Sequence, residues 1–296
     1  MLNDGFPIVT RRALPGDRQT LLQIWAAVFG DLDAEIEAFF EHYYESGICV
    51  VAAVDNTVVA AGYSLPFGNL ICKKKRLSCA MIYSVATLPS YRKFGCGTAI
   101  VRELLSESQA AGFDAVVLCP AGDSLFEYYS SRAGMRDWFY VDERTITNPS
   151  SSGSPVSLAA ASVEEYALLR AELLSDRPHI ELDARALSYQ LHLCRSSGGG
   201  LFRAFSPDGS ACLIIEGSAD GVLNIKELLT SNLSDSDVIA AVSELFPVKG
   251  YFIRSPSQES SAPSTRRFGM LALSDGVSIG ADELNSFLPW YGSAFD

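Results

Sequence analysis

The sequence lacks the features that would place a protein in a membrane, in an oxidising compartment or around a metal ion. No apolar run approaches the roughly 18 residues that a membrane-spanning helix needs, and the N-terminal stretch does not have the basic-then-apolar order of a signal peptide. The seven cysteines among 296 residues form no Cys-x-x-Cys pair, and the three histidines are dispersed. These absences predict a protein of the reduced cytoplasm that has no metal centre.

Positive charge is also scarce. The chain carries 23 Lys and Arg against 35 Asp and Glu, a formal net charge of −12. Non-specific nucleic-acid binding requires a basic surface, so this function class is excluded, and small neutral or cationic molecules are the expected partners. The one basic run, Lys73-Lys74-Lys75-Arg76, is interpreted as a solvated loop, with contact to an anionic ligand as the alternative.

The length and one polar segment predict two domains. At about 150 residues per domain, a chain of this size holds two. The stretch NPSSSGSP begins at Asn148 and is rich in proline, glycine and serine, which is typical of a linker. We therefore predict a first domain over residues 1–147, a linker over 148–156 and a second domain over 157–296.

Hydrophobic periodicity predicts a mixed α/β fold in both halves. The first half has the order β-α-α-β-β-β-α-β-α-β, with a hairpin turn at Asp55-Asn56. The second half repeats α-α-β-β-β-α-β, which suggests a diverged internal duplication. Both halves are long enough to place helices on the faces of a mixed sheet.

The stretch YRKFGCGTAI, residues 91–100, places two glycines where a helix begins. The start of a helix presents unpaired backbone N–H groups and the positive end of the helix dipole, and glycines let a phosphate approach that backbone closely. A dinucleotide loop would need a small residue where Ile100 stands, and a Walker loop would need a lysine after Gly97. Both of these nucleotide loops are excluded, and a glycine-rich turn without a ligand is the remaining structural alternative.

The pattern that fits is R-x-x-G-x-G, formed by Arg92, Gly95 and Gly97. Together with the preceding VATLP, residues 85–89, it resembles the acyl-CoA pyrophosphate loop of the GNAT superfamily of N-acetyltransferases, in particular the bacterial type with two GNAT-like domains. The resemblance covers residues 6–147, and SLFEYYSSRAGM, residues 124–135, extends it to the substrate-side helix of that superfamily.

The resemblance implies a set of cofactor-binding residues. Backbone groups around the pyrophosphate of acetyl-CoA would come from Arg92, Lys93, Phe94, Gly95, Cys96, Gly97 and Thr98. Backbone groups along the pantetheine and thioester would come from Ser84, Val85 and Ala86, and a strand N–H near Val85 would stabilise the thioester oxyanion. Cys96 is interpreted as a tolerated small residue, with a redox or acyl-carrying thiol as the alternative.

The resemblance also implies a tyrosine that protonates the leaving thiolate. Adjacent helical residues point about 100° apart, so only one of Tyr128 and Tyr129 can face the thioester, and we predict Tyr129. Counting back from Gly134, however, leaves one residue too many between the tyrosine and that glycine. No general base can be assigned.

The aromatic residues Phe39, Phe40 and Tyr43 follow a helical spacing. They are predicted either to line the pocket of the acceptor amine, which in the superfamily flanks this region, or to form plain core.

The second half lacks the loop. At the corresponding position it reads LTSNLS, residues 229–234, without glycine or arginine. The second half is therefore predicted to be a degenerate GNAT-like domain. Its role would be to line the acceptor pocket, to form a homodimer contact or to cover a sheet edge.

The predicted function is transfer of an acetyl group from acetyl-CoA to a primary amine of a small molecule or peptide. The alternatives are a non-catalytic CoA-binding regulatory module and an acyltransferase that uses a different acyl-CoA.

Overall fold

A computed structural model describes residues 7–150, 155–217, 221–257, 263–284 and 287–296. Residues 151–154 of the predicted linker and the first six residues of the chain lie outside these ranges. The helices are α1 (Arg18–Phe29), α2 (Asp33–Phe39), α3 (Cys96–Ala110), α4 (Asp123–Ala133), α5 (Val163–Leu173), α6 (Ala184–Ser196) and α7 (Asp235–Leu245). The strands are β1 (Ile8–Arg12), β2 (Ile48–Val54), β3 (Thr57–Cys72), β4 (Lys75–Thr87), β5 (Ala115–Leu118), β6 (Arg136–Ile146), β7 (Ser157–Ala160), β8 (His179–Glu181), β9 (Gly200–Phe205), β10 (Ser210–Glu216), β11 (Val222–Ser231), β12 (Gly250–Pro256) and β13 (Thr265–Leu273). Among the described residues, none of these helices has the length and hydropathy that crossing a membrane requires.

The described residues form two compact units. The first contains residues from 1–68, 77–137 and 269–278, and the second contains residues from 69–76, 138–268 and 279–296. The predicted domain bounds, which cut the chain once near residue 150, stay a prediction. Both units are mixed α/β structures, so the predicted fold class is confirmed.

The first unit is a sheet with the strand order β1-β2-β3-β4-β5-β13. Strands β4 and β5 run parallel, and α3 connects them. The predicted hairpin turn is present, and both of its central residues, Asp55 and Asn56, have positive φ angles of 48° and 63°. The apolar face of α3 packs on the sheet through Ile100, Val101 and Leu104, which are fully buried. This packing fixes the direction in which the start of α3 points.

The second unit repeats this arrangement. Its strand order is β6-β12-β11-β10-β9-β7, and β11 and β12 are its parallel pair, connected by α7. Helix α7 packs Val238, Ile239 and Val242 into the core of this unit. A central parallel pair joined by one helix in each unit is the arrangement that the predicted internal duplication requires.

The basic run lies at the surface of the second unit and is paired with acidic residues there. Lys75 Nζ lies 3.0 Å from Glu283 Oε1, and Arg76 Nη2 lies 2.5 Å from Glu181 Oε2. The Lys73 ammonium donates to the backbone carbonyl of Asp282 at 2.5 Å. Two of the four cations of the run thus face carboxylates, which reduces the positive charge available to an anionic ligand.

An aromatic cluster in the first unit contains the residues that were predicted either to line an acceptor pocket or to form core. Phe39, Phe40 and Tyr43 are all buried. The Phe39 ring lies 4.6 Å from the ring of Trp25 and 5.1 Å from that of Tyr63, centroid to centroid. Such spacings are typical of aromatic core packing, so the structure favours the core alternative for this stretch.

Candidate functional site

Strand β5 pairs with β4 over only part of the length of β4. Their parallel ladder begins at Cys79 opposite Ala115 and ends at Ile82 opposite Leu118. Strand β4 then continues to Thr87 without pairing with β5. The backbone of residues 83–87 therefore has an edge that β5 does not cover.

Ser84 lies at the start of this uncovered edge and has an unusual conformation. Its φ angle is +50°, within a segment that is otherwise extended. Its hydroxyl oxygen is buried, and it neither accepts nor donates a hydrogen bond among the described residues. A residue other than glycine with a positive φ is strained, and strained backbone of this kind clusters at functional sites. One of the predicted pantetheine residues thus has a strained backbone within β4.

The glycine loop turns the chain from β4 into α3 through two left-handed residues. Lys93 has a φ of 69° and Gly95 a φ of 99°, and Gly95 is the N-cap of α3. The latter conformation is one that only glycine adopts without strain. The first bond at this end of the helix runs from the Ala99 N–H to the Gly95 carbonyl at 3.0 Å. The N–H groups that precede Ala99 in the helix therefore have no helical acceptor and are available to an anion.

Gly97 has a different role from Gly95. A Cβ atom at Gly97 would lie 3.2 Å from the Tyr128 hydroxyl oxygen and 3.9 Å from Thr87 Oγ1. The missing side chain leaves space between α3 and α4, and into this space Tyr128 reaches to bond Thr98, Oη to Oγ1, at 2.8 Å. Gly95 is therefore suited to the positive φ of the turn, whereas Gly97 leaves space for the Tyr128 hydroxyl group.

Four cations surround the loop. The cleft beside it has a volume of about 620 Å³, and its lining includes Arg92, Lys93, Arg102 and Arg132 and no carboxylate. Arg92 Nε donates to the Thr87 carbonyl at 3.2 Å, and Arg102 Nε donates to the Arg132 carbonyl at 2.7 Å. In a protein with a formal charge of −12, this is a local concentration of positive charge. We refer to it as the loop cleft.

Tyr129 does not line the loop cleft. Its side chain is 8% exposed and belongs to the apolar cluster that includes Ile82 and Leu118, the last paired residues of β4 and β5. Burial raises the pKa of Tyr129 to about 12. Among the described residues, no hydrogen bond engages its hydroxyl group. Tyr129 is thus a protonated phenol in the same apolar cluster as the last pair of the β4–β5 ladder.

Cys96 is buried at the start of α3. Burial raises the pKa of its thiol, which disfavours the reactive thiolate. The environment agrees with the interpretation of Cys96 as a small packing residue.

The structure brings the predicted loop residues together and adds others that the sequence did not single out. Residues 92–98 all line the loop cleft. The cleft also contains Arg102 and Arg132, each of which follows a loop-facing residue, Thr98 or Tyr128, by one helical turn. That spacing of four was the only signal in the sequence for these two arginines.

The comparisons with known proteins agree with this arrangement. Residues 10–133 match the family model described as the acetyltransferase (GNAT) domain. A structure of a GCN5-related N-acetyltransferase from Anabaena variabilis is similar with a TM-score of 0.67 at 17% identity, over 90% of this chain and 73% of that chain. Another from Kribbella flavida has a TM-score of 0.66 at 16% identity, over 91% of this chain and 71% of that chain. No match was found among curated proteins.

A two-domain relative covers nearly the whole chain. A tandem GNAT protein from the clavulanic acid biosynthesis pathway is similar with a TM-score of 0.55 at 12% identity, over 92% of this chain and 100% of that chain. At such identities the likeness establishes the fold. The resemblance noted from Arg92, Gly95 and Gly97 is confirmed, and the chain carries a GNAT acetyltransferase domain.

Proposed function

We propose that this protein is an N-acetyltransferase that transfers an acetyl group from acetyl-CoA to a primary amine. The proposal starts from the match of residues 10–133 to the GNAT acetyltransferase domain. The observation that carries the proposal is the loop cleft itself. It combines unpaired N–H groups at the start of α3 with four cations, and its lining includes Thr87, where the uncovered edge of β4 ends. A pyrophosphate followed by an extended, amide-containing arm is the ligand that matches these three features.

The residues of the loop cleft fit acetyl-CoA on steric and electrostatic grounds. The N–H groups of Cys96, Gly97 and Thr98 would bind the pyrophosphate, with charge from Arg92 and Lys93. Backbone groups of Ser84, Val85 and Ala86 would pair with the pantetheine arm as an added strand pairs with a sheet edge. Acetyl-CoA supplies an acyl thioester there, and an N–H near Val85 would donate to its carbonyl oxygen.

Tyr129 is proposed as the group that protonates the departing thiolate. With a pKa of about 12 it keeps its proton at neutral pH. Its position in the cluster with Ile82 and Leu118 places it beside the end of the β4–β5 ladder, where the uncovered edge begins. Tyr128 instead bonds Thr98 on the loop, which suits a role in cofactor binding.

The acceptor is proposed to be a primary amine of a small molecule or peptide. A net charge of −12 favours a cationic acceptor through long-range attraction. All seven cysteines are free thiols, which fits the proposed location in a reduced cytoplasm. A homodimer contact remains one of the proposed roles for the second unit.

A non-catalytic acyl-CoA-binding module would need the same loop, so a binding experiment does not separate it from an enzyme. Release of free thiol from acetyl-CoA, followed against a panel of primary amines, does. Amine-dependent release would support the enzyme, and binding without release against every amine would support the module. Repeating the assay with propionyl- and succinyl-CoA shows whether another acyl group is the better donor.

A valine at Gly97 should weaken acetyl-CoA binding by about 1–3 kcal/mol, or roughly 5- to 150-fold in Kd. The added side chain would crowd the Tyr128 hydroxyl and cover the N–H groups that bind phosphate. Calorimetric titration of the full chain should give about one site in the wild type, because the second unit lacks the loop.

The matched control for this titration is Gly16→Val, since a Cβ atom at Gly16 would meet no atom within 4 Å. Its affinity for acetyl-CoA should equal that of the wild type. Two equal sites per chain, or a Gly97→Val protein that binds as tightly as the control, would contradict the assignment of the loop.

A further inference from the structure

The second unit has its own cleft where its parallel strands separate. The β11–β12 ladder ends at Ile225 opposite Ile253, and both strands continue beyond it. Past that point Thr230 of β11 and Ser255 of β12 line a cleft of about 380 Å³, which we call the second cleft. This volume lies in the range of small-molecule sites.

The start of α7 in this cleft does not offer a binding site for a pyrophosphate. The Ser234 hydroxyl caps the Asp237 N–H at 3.1 Å, and Asp235 and Asp237 place two carboxylates in the first turn. The guanidinium group of Arg144 pairs with Asp235 and donates to Ser255 Oγ at 2.7 Å. The helix dipole is thus already satisfied by negative side chains, which leaves no anion site of the kind that the loop cleft offers.

The charge that remains in the second cleft belongs to Arg177. This side chain is only 8% exposed, yet no ion pair engages it among the residues that the structure describes. Its Nη1 donates two long hydrogen bonds, to the carbonyls of Ser257 at 3.3 Å and Leu288 at 3.5 Å, and its guanidinium lies 5.0 Å from the centroid of the Phe287 ring. The carboxylate of the neighbouring Asp176 acts on Arg177 only through space. A buried arginine without an ion-paired carboxylate is costly, and a bound oxyanion would remove that cost.

Asp142, in the same cleft, is an anion with an unfilled hydrogen-bond acceptor. Its Oδ1 is buried without a hydrogen-bond donor, and the nearest cation, Arg144 Nη1, is 3.6 Å away. The four charged side chains of the lining, Arg144, Arg177, Asp142 and Asp235, sum to zero. The lining thus has no net charge, and it contains one cation, Arg177, and one anion, Asp142, that lack close partners of opposite charge. These features match a ligand that carries both charges.

We propose that the second cleft binds a small zwitterion of the amino-acid class, with its carboxylate on Arg177 and its ammonium group on Asp142. The site is separate from the loop cleft, so it does not depend on acetyl-CoA binding. The volume admits an amino acid, and the balanced charge disfavours polyanions such as coenzyme A.

The test is isothermal titration of the full chain with each of the twenty proteinogenic amino acids in turn. At least one is expected to bind. For that one, the matching amine without a carboxylate and the matching carboxylic acid without an amine should each bind at least tenfold more weakly. Arg177→Met should weaken binding by tenfold or more, whereas Arg203→Met, which removes a surface arginine paired with Glu165, should leave it unchanged.

Two further variants keep the test decisive. Thr230→Trp adds a large side chain to the lining of the second cleft without removing a charge, and it should abolish binding even if Arg177→Met fails to fold. Gly97→Val should bind the amino acid normally, because it alters only the loop cleft. The proposal is overturned if no amino acid binds, if Thr230→Trp binds like the wild type, or if Gly97→Val is the variant that loses binding.

Discussion

Replacing Tyr129 by phenylalanine should lower kcat by about 10²- to 10⁴-fold, which is what general acid catalysis usually contributes. The change removes one oxygen atom and keeps the ring that packs with Ile82 and Leu118. Acetyl-CoA affinity should therefore stay the same, and the protein should remain folded. Steady-state kinetics with a fixed amine, together with calorimetric titration of acetyl-CoA, measures both quantities.

Tyr128→Phe is the matched control, because it removes a phenolic oxygen one residue away on the same helix. It breaks the 2.8 Å hydrogen bond to Thr98 on the loop. We expect its effect to fall on acetyl-CoA affinity, with kcat within about threefold of the wild type, well below the contribution of a general acid. A large loss of kcat in Tyr128→Phe with less than threefold loss in Tyr129→Phe would show that Tyr128 is the acid.

The pH dependence gives a second readout. Because burial raises the pKa of Tyr129 to about 12, the proton-donating form persists throughout the neutral range. Ionisation of this residue should therefore cause no fall in kcat below roughly pH 10. An alkaline limb at lower pH that disappears in Tyr129→Phe would mean that the hydroxyl titrates far below the value its environment implies.

The loop was predictable because its information is local. Arg92, Gly95 and Gly97 lie within six consecutive residues, and Gly95 has the positive φ that the turn into α3 needs. The same holds for the hairpin turn at Asp55 and Asn56, whose side chains tolerate positive φ. Fold class follows from such local signals, since the order of strands and helices can be derived from periodicity.

Arg102 and Arg132 could not be assigned in this way. They reach the loop cleft only because α3 and α4 pack side by side, a contact between residues 30 apart in sequence. The β5–β13 pairing, with Leu118 opposite Met270, was missed for the same reason, and β13 had not been predicted at all. Long-range partners of this kind leave no periodic signal in one sequence.

Glu227 is the clearest case of a residue whose importance only the fold reveals. In the sequence it stands between Lys226 and Leu228, and nothing local distinguishes it from an acidic residue at the surface. In the structure it is fully buried in the second unit, where it pairs with Arg170, Nε to Oε1, at 2.8 Å. The Tyr166 hydroxyl donates to Oε1 and the Trp290 indole N–H to Oε2, each at 2.5 Å. Both carboxylate oxygens are thus fully engaged by buried donors.

Glu227→Gln should lower the free energy of unfolding by about 3–5 kcal/mol, the usual cost of breaking a buried ion pair from one side. The amide removes the negative charge that stabilises Arg170, and its NH₂ group faces donors that need an acceptor. The expected change in urea denaturation is a lower transition midpoint for the second unit. Arg170→Met combined with Glu227→Leu should cost less than the sum of the two single changes, because no lone buried charge remains.

The comparison that decides this prediction is Glu165→Gln, which removes the same charge from an ion pair at the surface of the same unit. Glu165 Oε1 lies 2.8 Å from Arg203, and its side chain is 42% exposed. Its bond to the Ser162 N–H at the start of α5 can be kept by a glutamine oxygen. Exposed pairs contribute about 0–1 kcal/mol, so this variant should unfold close to the wild-type midpoint. If Glu227→Gln is no less stable than Glu165→Gln, burial of the Glu227 carboxylate does not govern the stability of the second unit, and the network around it is a consequence of packing rather than a cause.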